Sequence, residues 1–126
     1  MTYKEVLKFW FEELSEDDWF SGGEQIDAVI RERFGTVHKA AAAGELEEWR
    51  ATPEGSLAEI IVLDQFSRNI FRNKREAFSA DQMALDLSEL AIEKGFDADL
   101  SPKQRVFLYM PYMHSESPEV HKKSLK

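Results

Sequence analysis

A chain of 126 residues, 43% hydrophobic and 32% charged, has the length and composition of a single globular domain over residues 1–126 and not of a disordered or fibrous protein. With no cysteine there is no disulfide scaffold, no thiol nucleophile and no cysteine metal site. The formal net charge is −8, and all the acid excess falls in residues 1–60, a balance that repels phosphate backbones and argues against nucleic acid as a partner.

The chain opens "MTYKEVLKFWFEEL", where charges interrupt the aromatics. That is no signal peptide, and no later run reaches the ~20 apolar residues of a membrane span, so a soluble, cytoplasmic protein with no membrane partner is expected. Thr2-Tyr-Lys-Glu5 reads as a capping box ahead of a helix carrying Val6, Leu7, Trp10, Phe11 and Leu14 at helical spacing. Residues 15–20 read as a short acidic turn holding Trp19 and Phe20. After Gly22-Gly23, the stripe Ile26, Val29, Ile30, Phe34, Val37 and Ala41 predicts a helix closed by Gly44. Glu45 to Arg50 suggests one helical turn presenting Leu46 and Trp49. Thr52-Pro53 starts the next helix, and Leu57 to Phe66 is apolar nearly all round, which predicts a central, buried element.

Downstream, Ser79-Ala-Asp-Gln82 reads as a cap for a helix with Met83, Leu87, Leu90 and Ala91 inward, ended by Gly95. Ser101-Pro-Lys-Gln104 caps another with Val106, Phe107 and Met110 inward, and Pro111 should end or kink it. Ser117-Pro118 begins one more. No stretch alternates with period two. The expectation is an all-α fold of five or six helices, antiparallel neighbours joined by short turns.

Chemistry concentrates in "VLDQFSRNIFR". On a continuous helix, Asp64, Arg68 and Arg72 share one face, with Gln65 and Asn69 in the row beside them. Two readings stand together. Asp64 and Arg68 wire the helix end, with Asn69 suited to a left-handed terminus; or Arg68 and Arg72 hold an anion while Asp64 orients Arg68. A second cluster, Tyr109, Tyr112, His114, Ser115 and Glu116, is either a polar turn or a site with His114 as acid or base. The three histidines show no metal-ligand spacing, so no metal and no cofactor is expected. Aromatics at helical spacing are read as core.

The tryptophan-phenylalanine pair, "LDQFSRN" and "YMPYMHSES" resemble the bacterial domain-of-unknown-function family nine-two-four over nearly the whole chain. The resemblance implies a tetratricopeptide-like array of helical hairpins and no particular activity. It carries motif positions onto Leu63, Asp64, Gln65, Phe66, Arg68, Asn69, Ile70, Phe71, Arg72, Tyr109, Pro111, His114 and Ser115. Ser67 stands where many relatives have Pro, and Met113 where they have an acid, which weakens carboxylate assistance to His114. Typical relatives continue through further helices. The leading functional expectation is a binding or scaffold module with a polar groove at Asp64, Gln65, Arg68, Asn69, Arg72, Tyr109 and His114. The alternatives are a small hydrolase or transferase acting on an anionic molecule, and a purely structural protein. An uncovered apolar face on the central helix would suit a homodimer.

Overall fold

The computed structural model describes residues 2–21 and 23–114. The expected helix starting at Ser117-Pro118, and Ser115 and Glu116, lie outside the described residues. Among the described residues seven α-helices run in order: α1 (Tyr3–Lys8), α2 (Glu16–Ser21), α3 (Glu24–Ala42), α4 (Pro53–Ile61), α5 (Ser67–Ile70), α6 (Asp81–Glu93) and α7 (Pro102–His114). Short 3-10 turns at Glu47–Ala51, Arg75–Phe78 and Phe96–Asp99 connect some of them, and α1 extends into a wide π turn over Phe9–Glu13. The fold is all-α, with no strand among the described residues.

The element apolar on every side does sit at the centre. Leu57, Ala58, Ile60, Ile61, Val62, Leu63 and Phe66 are fully buried. Each such large side chain contributes about 1.5–3 kcal/mol relative to exposure. Helices α1, α6 and α7 pack on α4, while α3 covers its continuation into α5. That continuation is a second π turn, Val62–Phe66, set between α4 and α5. The aromatics form core: Phe9 meets Phe34 at 5.0 Å between ring centroids, Phe34 meets Phe66 at 5.1 Å, and Trp10 meets Phe107 edge-on at 5.4 Å.

Helix punctuation follows the sequence in part. Thr52 caps α4 by accepting from the Gly55 amide at 3.0 Å, and Ser101 and Gln104 form the reciprocal cap of α7. Gly44 and Gly95 leave α3 and α6 with φ of 76° and 78°, a region closed to most side chains. Other expectations are corrected. The Thr2 side chain makes no cap bond; only its carbonyl accepts, from Glu5. Residues 15–20 are a true helix start, since Ser15 and Asp18 cap α2 reciprocally. Ser79 turns its hydroxyl back to the Glu76 carbonyl and leaves α6 without a side-chain cap. Pro111 lies inside α7 and does not end it. Val29, Leu90 and Val106, expected inward, are exposed, because each apolar stripe is narrower than its sequence pattern. Asn69 is helical; the left-handed residue is Asn73, at φ 66°.

Candidate functional site

The wide turn at Val62–Phe66 organises the polar groups around it. Two of its carbonyls take donors from side chains four residues on: Leu63 O accepts from Ser67 Oγ and Asp64 O from Arg68 Nη1, both at 2.7 Å. Interruptions of this kind in an α-helix recur at functional sites. Here the turn carries Asp64, whose carboxylate is 1% exposed yet accepts from three donors. His114 Nδ1 donates to Oδ1 at 2.9 Å, Arg68 Nη1 to Oδ1 at 3.3 Å, and Gln65 Nε2 to Oδ2 at 2.9 Å. A buried carboxylate is tolerable only with such saturation.

Arg68 reaches on to Asp81 at the start of α6, with Nη1 and Nη2 on its two carboxylate oxygens at 3.0 and 3.1 Å. Its guanidinium also lies 5.4 Å from the ring centre of Phe78. Beyond these groups an open cleft of about 620 Å³ is lined by Arg68, Phe78, Asp81, Gln82, Leu85, Pro111 and His114. Arg68 and His114, 46 positions apart in sequence, therefore share one solvent-reachable cavity. His114 donates Nδ1–H to Asp64, and its other ring nitrogen, Nε2, has no partner among the described residues.

The remaining candidates are placed elsewhere. Asn69 Nδ2 and Arg72 Nη2 each donate at 2.9 Å to Asp27 Oδ1 on α3, and Arg72 Nε completes a two-pronged pair. Burial pushes the Asp27 carboxyl up, but the hydrogen bonds from Arg72 and Asn69, with the Arg72 and Arg31 charges, outweigh it and hold the pKa below its usual value. Tyr109 donates to Asp97 at 2.7 Å; burial first, then that carboxylate, raises its pKa. So the segment divides: Arg68 lines the cleft, with Asp64 bonded behind it and Gln65 bonded to Asp64, whereas Asn69 and Arg72 lock α5 to α3. Arg68 and Arg72 do not converge on one anion; each already holds a carboxylate of this chain. The acid missing at position 113 is also replaced, since Asp64 supplies His114 with a carboxylate from across the fold while Met113 is exposed.

Three arrangements escaped the sequence. Asp81 and Phe78 complete the cleft from a different stretch of chain, and no periodicity links them to Arg68. Glu59, wholly buried on α4, is held by Arg50 through two bonds of 2.9 Å. One acid inside the most apolar run was the available signal for it. His38, buried on α3, bonds Ser67 Oγ at 2.7 Å; because Ser67 gives its own proton to Leu63 O, the histidine Nε2 is the donor. Burial pushes the His38 pKa down. Ser67 thus has a specific partner where a proline would have none. No cluster of three or more His, Asp or Glu residues suited to a metal occurs among the described residues.

An all-α protein with a buried acid, an oriented histidine and a polar cleft is the class that fold and geometry define. The chain belongs to the bacterial proteins of unknown function DUF924, whose profile matches residues 6–126. It is similar to a solved protein of unknown function from Agrobacterium tumefaciens, at 34% identity and a TM-score of 0.92, covering 97% of this chain and 69% of that one. No curated protein sequence matches it. No helix among the described residues is long and apolar enough to cross a membrane.

Proposed function

We propose that this protein is a small-molecule binding module, with the cleft between the N-terminal end of α6 and the C-terminal end of α7 as its site. One observation carries the reading: Asp64, sealed from solvent, fixes His114 and Arg68 at the wall of an open cavity. A buried charge is costly to keep, and its bonds set the tautomer and direction of a ring that faces solvent-reachable space. The volume is that of ordinary ligand sites, and the lining mixes apolar walls (Phe78, Leu85, Pro111) with a few directed polar groups. Screening a metabolite-like library for thermal stabilisation tests it. Hits should perturb the His114 ring resonances and be lost in His114→Ala. Hits that ignore His114, or none at all, refute the reading.

The Asp64–His114 pair also favours a second reading, general acid or base catalysis. A carboxylate on Nδ1 steadies the imidazole and leaves Nε2 to exchange a proton with a bound molecule. None of the residues lining the cleft carries a hydroxyl or thiol, so the nucleophile in this reading is water. Turnover of a cleft ligand that survives purification and disappears in both His114→Ala and Asp64→Asn would convert binding into catalysis. Binding without turnover keeps the module reading.

A further inference from the structure

We propose that the ligand of this cleft is a cation: a protonated amine or guanidinium on a short apolar arm. The proposal rests on the binding reading above and narrows it to a chemical class.

Once its internal bonds are made, the cleft offers mainly hydrogen-bond acceptors. Each Asp81 oxygen accepts one Arg68 N–H and keeps capacity for another donor, and the side chain is 32% exposed. Gln82 gives its amide N–H to Asp86 at 2.9 Å, which turns its carbonyl oxygen away from that carboxylate and leaves it free to accept. His114 has committed Nδ1–H to Asp64, so the neutral ring offers Nε2 as an acceptor. The free capacity is therefore mostly acceptor capacity, and its complement is a group with several N–H donors.

Charge points the same way. Asp64 and Asp81 face one guanidinium, so carboxylates outnumber arginines at this wall of the cleft, and the Asp81 oxygens are the ones within reach of solvent. A chain of net charge −8 adds to that field. An anion would have to displace Asp81 from Arg68 and then lie against the Asp64 carboxylate. The N–H groups that Arg68 has left suit water or a neutral carbonyl, because its charge is already met. The apolar wall supplies the rest: Phe78 already meets Arg68, but at 60% exposure its ring keeps open surface that can attract a second cation. Leu85 and Pro111 flank the space for the arm.

Four probes of similar size test this on the full chain: phenethylamine, butylguanidine, the neutral phenethyl alcohol and the anion phenylacetate. Titrations followed through the His114 ring and by calorimetry should show the two cations binding near the millimolar range expected for so few atoms. The alcohol and the carboxylate should be weaker by about tenfold or more. Asp81→Asn should weaken the cations by about three- to tenfold and leave the alcohol unchanged. Phe78→Leu, at an exposed position that does not test the fold, should weaken them about threefold. Tighter binding of phenylacetate than of phenethylamine overturns the proposal and leaves the binding reading intact. Silence of the cations beside a His114-dependent library hit of another charge does the same. Silence of all four probes and of the library overturns both.

Discussion

Replacing Asp64 separates charge from hydrogen-bond geometry, because the structure says which donors each substitution strands. Asp64→Ala removes the acceptor from His114 Nδ1, Gln65 Nε2 and one contact of Arg68. Breaking a buried ion pair from one side costs about 3–5 kcal/mol. The loss should be smaller here, about 2–4 kcal/mol, since the Arg68 and His114 side chains are 24% and 27% exposed and water can reach them. Arg68 also keeps Asp81 and the Asp64 carbonyl. Asp64→Asn is different. Its remaining oxygen can still accept from His114 and Arg68, and a flip of the Gln65 amide presents an oxygen to the new NH₂. Only the charge is lost, about 1–2 kcal/mol. Urea unfolding measures both: with a slope of about 2 kcal/mol per molar, the midpoint should fall by about 1–2 M for Ala and at most about half that for Asn. Equal losses in the two variants would refute the hydrogen-bond assignment, and an unchanged midpoint in Asp64→Ala would refute the hub itself.

Arg50→Ala leaves Glu59 charged and wholly buried without its partner, and should destabilise the protein by about 3–5 kcal/mol in the same assay. Gly55→Ala should cost about 2–3 kcal/mol, because the added methyl lands on the Trp49 carbonyl oxygen and the 3-10 turn over Glu47–Ala51 must move away. For pH, burial keeps His38 neutral in the folded state, so its folded pKa lies below the ordinary 6.5. The unfolded chain then binds a proton first, and stability is full above about 6.5, falls as pH drops below it, and levels once the folded histidine also protonates. His38→Gln, which retains a donor to Ser67, should flatten that part of a pH series of unfolding midpoints. The Asp27 carboxyl acts lower, its contribution present above 3.8 and lost as pH falls through its depressed folded value; Arg72→Ala should shrink that acid-limb loss.

How much was legible follows from the range of each interaction. The central helix was readable because apolar residues on every side admit only a buried location, and Thr52 and Ser101 because a cap bonds within three residues. The pairing of Asp64 with Arg68 was readable for the same reason, as both lie within one turn of chain. What failed needed distance or a change of register. Helix α5 ends at Ile70, so Arg72 does not continue the face of Asp64 and Arg68, and with Asn69 it reaches Asp27 and not the cleft. Asp81, 13 positions from Arg68, and Asp64, 50 positions from His114, meet only through the packing of α6 and α7 on α4. Ser79 illustrates the limit of caps as signals: a hydroxyl beside two competing backbone groups chose the Glu76 carbonyl.

The central claim is that Asp64 fixes His114 with Nε2 open to the cleft, and a long-range proton–nitrogen spectrum of the imidazoles reads it directly. The neutral His114 ring should carry its proton on Nδ1 in the native protein, against the Nε2–H preference of free histidine, and should revert to Nε2–H in Asp64→Ala. A native His114 ring protonated on Nε2, or one unaffected by loss of Asp64, would contradict the account.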